Sequence, residues 1–135
     1  MGNMEWAIEG ELARGCRPGY PDKCEITQDT VDDWINEARN ICIKSIICFL
    51  DKDQLCYYDA LPSGLINYYQ NMGFEVNHIP VKDYKCPPLS EEEKKKTIKA
   101  YNELPKPVLV HCSAGCDRTG AAVECIKKHL SNNRR

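Results

Sequence analysis

Val108-Leu109-Val110-His111-Cys112-Ser113-Ala114-Gly115-Cys116-Asp117-Arg118-Thr119-Gly120 decides how this chain is read. Val108 to Val110 is a short apolar run of strand type, bounded upstream by Pro105 and Pro107. Ala122, Cys125, Ile126, His129 and Leu130 follow the loop at helical spacing. A loop that runs from a strand into a helix N-terminus aims several backbone N–H groups at one point, which makes an anion site. Gly115 lets the backbone bend closely around bound oxygens. Arg118 can grip two phosphate oxygens in fork geometry, and a positive loop favours the thiolate of Cys112, the nucleophilic form of the side chain. His111 can orient the loop, and the Thr119 hydroxyl can donate to the thiolate.

Other readings of this stretch are weaker. A plain buried thiol at Cys112 leaves Gly115 and Arg118 without a purpose. An ATP-type phosphate loop ends in Gly-Lys-Ser/Thr, and here the order is Gly115-Cys116-Asp117-Arg118-Thr119. A metal pair of Cys112 and Cys116 lacks two further ligands nearby.

Working outward, strand and helix signals alternate. Glu5–Ile8 and Glu11–Arg14 flank Glu9-Gly10 as a small hairpin, and Arg17-Pro18-Gly19-Tyr20-Pro21 ends it. Thr27 is an N-cap for a helix from Gln28 to about Asn40, with Val31, Trp34, Ile35, Ala38 and Ile41 on one face. Ser45–Leu50 suits a strand buried on both faces, and Asp51–Gln54 reads as a polar connection. Leu61, Leu65, Tyr68, Tyr69 and Met72 mark a second helix, stopped by Gly73. Phe74–Ile79 alternates as a strand, and the prolines of 80–88 require a loop. Ser90 and Glu93 form a capping box for a third helix to about Glu103. That helix is expected to bury Ile98, Tyr101 and Leu104 and to carry Glu91/Lys95 and Glu92/Lys96 pairs. The fold expected is α/β: three layers, with a mostly parallel central sheet of four to five strands and helices on both faces. Ligands of such sheets bind at the strands' carboxyl ends, where the Cys112 and Asp83 loops both fall.

Composition narrows the partners. The 135 residues suit one domain, taken as 1–135. Eighteen Lys and Arg against 20 Asp and Glu give a net charge of −2, which implies no general attraction to nucleic acid or membrane. The longest apolar runs are of strand length, so a cytoplasmic protein is expected. Nine cysteines are an odd number, and they form no C-x-x-C pair, so most are expected as reduced core thiols with no structural zinc.

His111, Cys112, Gly115, Arg118, Thr119 and Gly120 match the signature of the cysteine-dependent protein tyrosine phosphatase superfamily. The chain most resembles the small atypical dual-specificity phosphatases. Trp6, Gly10-Glu11-Leu12-Ala13 and Arg17-Pro18 are similar to that group's opening segment, and Ile79–Pro88 to its acid loop. The resemblance implies a phosphomonoester hydrolase of phosphotyrosine, and of phosphoserine or phosphothreonine, in protein substrates. It implies a cysteinyl-phosphate intermediate and no metal or organic cofactor. It assigns Cys112 as nucleophile and Arg118 with the amides of Ser113, Ala114, Gly115, Cys116 and Asp117 as phosphate binders. The resemblance implies that Asp83, 29 residues before Cys112, is the general acid, ahead of Asp53 and Asp59. Cys116 is a candidate redox partner of Cys112, and Asp117 is read mainly as an acid at a helix start. Ser113, Ala114 and Cys116 add no positive charge for a multiply phosphorylated headgroup, which favours phosphoprotein over phosphoinositide. The alternatives are a phosphoinositide or other small-phosphoester phosphatase and a catalytically silent phosphate-binding module. A monomer is expected. Sixteen residues follow Thr119, so the chain reads either as a minimal member or as one lacking C-terminal helices of its relatives.

Overall fold

The computed structural model describes residues 4–133. Strands β1 (Met4–Ile8) and β2 (Leu12–Gly15) form the expected hairpin, with a register shift between Trp6 and Ile8. Helix α1 (Gln28–Asn40) starts at Thr27, whose hydroxyl accepts from the Thr30 amide. Then come β3 (Ser45–Cys48), the one-turn helix α2 (Lys52–Leu55) with a 3₁₀ turn at Cys56–Tyr58, and α3 (Gly64–Asn71). Strand β4 (Glu75–His78), helix α4 (Glu91–Glu103), strand β5 (Val108–His111) and helix α5 (Asp117–Asn133) complete the order. The sheet has five strands in the order β1-β2-β5-β3-β4; β1 is antiparallel to β2, and every other pairing is parallel. This is the α/β architecture expected from the strand–helix alternation.

Pleating sorts the sheet's side chains into two cores. Ala13, Ile46, Cys48 and Leu109 pack under α1 and α3 with Val31, Trp34, Ile35, Leu65 and Tyr69. Leu12, Ile47, Val108, Val110 and Cys112 pack under α4 and α5 with Ala100, Tyr101, Ala122, Val123 and Ile126. His111 and Cys112 therefore leave the end of β5 toward opposite faces. The parallel register sets the ends of β2, β3 and β5 side by side, since Gly15 and Cys48 both pair with His111. The loops that follow those strands and β4 meet at one edge of the sheet.

Three local expectations change. Asp51–Gln54 is not a plain connection: Asp51 and Gln54 make a reciprocal capping box, which is enough to start α2. The inward stripe of α4 is Thr97, Ala100 and Tyr101, while Ile98 and Leu104 are only half-buried. Thr97 tolerates burial because its hydroxyl donates to the Glu93 carbonyl at 2.8 Å. The α4 ion pairs also differ: Lys94 bonds Glu91 at 3.3 Å and Lys85 reaches Glu93 at 2.8 Å, in place of Glu91/Lys95 and Glu92/Lys96. Glu93 is already turned back by the Ser90 cap, which puts its carboxylate within reach of the preceding loop.

Candidate active site

The loop from Cys112 to Arg118 is held from outside by its carbonyls. The Cys112 carbonyl accepts from His111 Nδ1 at 3.0 Å, that of Ser113 from the Arg17 amide at 2.9 Å, and that of Gly115 from Arg14 Nη2 at 2.8 Å. The Cys116 carbonyl accepts from the Gly120 amide at 2.7 Å in the first turn of α5. In a planar trans peptide the N–H points opposite to the C=O, so carbonyls tied outward turn the loop amides inward. Gly115 makes the closest approach. It holds φ 82°, and a Cβ there would lie 2.7 Å from the Gly15 carbonyl oxygen.

His111 is fully buried between Tyr69 and Trp34, whose rings pack against it. A carbonyl can only accept, so Nδ1 carries the proton toward Cys112. Nε2 then accepts from the Tyr69 hydroxyl at 2.9 Å. Burial pushes the imidazole down to about 4, and the nearby Arg118 and Arg17 add to the effect. His111 is therefore a neutral strut for the loop.

Arg118 opens α5 and is 1 % exposed. Its Nη1 donates to the carbonyls of Phe49 (3.0 Å) and Val81 (2.7 Å) and to Gln54 Oε1 (2.9 Å). Its Nε and Nη2 are buried without a hydrogen-bond acceptor. Asp83 Oδ2 lies 3.0 Å from Nη2, close enough for an ion pair though off the hydrogen-bonding direction. One edge of the guanidinium thus anchors the side chain to the ends of β3 and β4, and the other edge remains for an anion. Thr119 is fully buried, and its hydroxyl also has no partner among the described groups.

The structure brings Asp83 to Arg118, while the other acid candidates, Asp53 and Asp59, are exposed. Ser113 is half-buried; Ala114, Cys116 and Asp117 are exposed, and Asp117 sits in the first turn of α5. The Cys116 thiol is directed at the Ala114 carbonyl at 4.0 Å. All nine cysteines are free thiols, but against expectation most are not in the core: Cys48 and Cys112 are buried, and Cys24, Cys42, Cys56, Cys86 and Cys116 are exposed. Burial raises Cys16, and raises Cys48 to about 12; proximity to Cys112 contributes to both. Among the described residues, no group of three His, Cys, Asp or Glu is placed to hold a metal ion, and no helix is long and apolar enough to cross a membrane.

Two further residues of the site have no role there in the sequence reading, where Arg17-Pro18 enters only through the family's opening segment and Gln54 as part of a polar connection. Arg17, 1 % exposed, donates from Nε to Ser113 Oγ at 3.0 Å and from Nη1 to the Tyr58 hydroxyl at 3.4 Å, and it lies over the rings of Tyr57 and Tyr20. Gln54 touches both Arg118 and Asp83. The spacing Asp51-x-x-Gln54, a capping-box pattern, was the one available signal for the turn that carries Gln54. Nothing short of the fold places Arg17 against Ser113, 96 positions away.

Residues 26–130 match the family described as "Polymorphic toxin system, DSP-PTPase phosphatase". No curated protein matches the sequence significantly. Two structures of the S. cerevisiae Siw14 catalytic core are similar to this chain. One is the core catalytic domain of the PP-IP phosphatase in complex with citrate, with a TM-score of 0.62, and the other has a TM-score of 0.63. Each is 18% identical and covers 96% of this chain and 67% of its own. At that identity the likeness is one of fold. P. aeruginosa TpbA in complex with pTyr is more distant, with a TM-score of 0.45, 18% identity, and coverage of 83% of this chain and 54% of its own. The family match spans more than half of the chain and covers Asp83, Cys112 and Arg118, so the chain belongs to the DSP-PTPase phosphatases of polymorphic toxin systems, cysteine-based phosphatases of the atypical dual-specificity type.

Proposed function

We propose that this chain hydrolyses phosphotyrosine in proteins, and phosphoserine or phosphothreonine less well, through a phosphocysteine at Cys112. The observation that carries this reading is the outer edge of Arg118. Two buried guanidinium nitrogens lack an acceptor in the loop headed by Cys112, and a carboxylate stands 3.0 Å away. A buried donor without a partner costs about 1–3 kcal/mol, so such an edge is retained for a ligand. In the first step Cys112 Sγ attacks phosphorus, the ester P–O bond breaks, and Asp83 gives its proton to the leaving oxygen. In the second, water attacks phosphorus and passes a proton to Asp83, and the S–P bond breaks with Thr119 donating to the departing thiolate. Arg118 and the loop amides hold the non-bridging oxygens in both steps.

The substrate class rests on the rim. Ser113, Ala114, Cys116 and Asp117 place no cation beside the phosphate cradle, as a multiply phosphorylated inositol would require. Tyr84, 90 % exposed, follows the acid at φ 62°, with its amide donating to Asp83 Oδ1 at 3.0 Å. This presents an aromatic surface next to the leaving group. The second reading is an inositol pyrophosphate or phosphoinositide phosphatase, supported by the fold of the Siw14 PP-IP phosphatase core. The family description supports a role as the catalytic part of a toxin, and we place its action on phosphoproteins of the cytoplasm, as a monomer.

Phosphate release from a phosphotyrosine peptide, a phosphoserine peptide and an inositol pyrophosphate, measured side by side, tests this. The expected order is phosphotyrosine peptide first, with Cys112→Ser inactive on all three but still binding. A preference for the inositol pyrophosphate would overturn the substrate assignment. Binding without turnover by the native chain would favour the silent phosphate-binding module.

A further inference from the structure

Arg118 and Asp83 are joined by a third side chain that the two-step chemistry does not use. Gln54 is 8 % exposed and sits in α2, where its backbone N–H donates to Asp51 Oδ1 at 2.9 Å. Its side-chain oxygen accepts from Arg118 Nη1 at 2.9 Å and from the Asp51 amide at 3.3 Å. Both of those groups can only donate, so the carboxamide has one workable orientation, with Nε2 toward Asp83. Nε2 donates to Asp83 Oδ2 at 3.2 Å. Oδ2 therefore accepts from Gln54 Nε2 and has the Arg118 charge 3.0 Å away, while among the described residues Oδ1 meets one donor, the Tyr84 amide at 3.0 Å.

We propose that Gln54 is a positioning residue for the acid: it holds the Asp83 carboxyl against the phosphate-binding arginine and confines the transferable proton to Oδ1. A proton is disfavoured on an oxygen that accepts from Gln54 and lies beside the Arg118 charge, which leaves Oδ1 to carry it. The hydrogen on Oδ1 then goes to the ester oxygen as the P–O bond breaks, and Oδ1 takes it back from water in the second step. The one-turn helix matters because it fixes this amide relative to both partners. The inference rests on the phosphatase reading above, which the Cys112→Ser assay tests separately.

Leaving-group dependence distinguishes this role from a purely structural one. Native protein, Gln54→Leu, Asp83→Asn and the double variant are assayed on phenyl phosphate, whose leaving group needs protonation, and on 4-nitrophenyl phosphate, whose leaving group needs little. Gln54→Leu is expected to lower kcat on phenyl phosphate by about 10²-fold, the size of effect that a misplaced catalytic group produces, and to do much less on 4-nitrophenyl phosphate. In the Asp83→Asn background the same change should add no further leaving-group dependence. Gln54→Glu keeps the acceptor for Arg118 but sets a carboxylate against Asp83. It should move the alkaline limb of the phenyl phosphate profile to higher pH, because a like charge favours the protonated acid. Equal losses on both substrates, full additivity in the double variant, or an alkaline limb that stays in place in Gln54→Glu would each overturn the proposal.

Discussion

Gly115 shows how much of the site depends on single atoms. Its φ of 82° and the 2.7 Å separation between a would-be Cβ and the Gly15 carbonyl leave no room for any side chain, and the obstructing atom is backbone. Gly115→Ala combines left-handed strain, roughly 1–2 kcal/mol, with displacement of the loop from the end of β2. We expect it to lower stability by at least about 2 kcal/mol in denaturant melts and to remove most activity; a variant as stable and active as the native chain would contradict the tight packing of the loop on β2. The residues of the loop were legible because their chemistry is local: a nucleophile, a close turn and an arginine within a few positions. Asp83 came from the family resemblance, because a lone aspartate in a proline-bounded loop reads as a solvated turn residue; the structure sets it against Arg118. Gln54 and Arg17 were not legible. A glutamine in Asp51-Lys52-Asp53-Gln54 resembles any solvated turn, and an arginine beside Pro18 resembles any chain break, until the sheet register brings them to Ser113, Asp83 and Arg118.

Elements follow the same division. The hairpin, α1, α3, β4 and the loop-helix unit were readable because their turn residues and periodicities agree, with a side-chain cap at Thr27 for α1. Where an expectation failed, another local contact took over. In α4 the Ser90–Glu93 box draws the Glu93 carboxylate back to the Ser90 amide at 2.8 Å, where Lys85 also finds it. In α2 the box alone suffices for one turn. Ser90→Ala removes the hydroxyl that accepts from the Glu93 amide at 3.1 Å. It is expected to cost about 1 kcal/mol, seen as a fall in Tm of about 4 °C, with kcat unchanged because α4 supplies no group to the site. A large loss of kcat at unchanged Tm would mean that α4 does more than support the sheet.

At the scale of the whole molecule, the sheet delivers two buried arginines, a buried histidine and a cysteine to one edge. This arrangement makes stability depend on pH. His111 is ordinary, near 6.5, in the unfolded chain and near 4 when folded, so the unfolded chain takes up the proton first. Its contribution to stability is complete above pH 6.5 and is lost as pH falls from there to about 4, amounting to roughly 3 kcal/mol. Denaturant midpoints should fall over that interval, and should fall less steeply in His111→Gln; identical slopes would contradict a buried neutral imidazole.

The phosphocysteine is the centre of the account. The most direct measurement is acid quench of the protein during turnover of a phosphotyrosine peptide, followed by peptide mapping by mass spectrometry. The account predicts a phosphoryl group on the peptide that contains Cys112, and none in Cys112→Ser. Steady turnover with no phosphoryl adduct at Cys112, or undiminished turnover by Cys112→Ser, would contradict it.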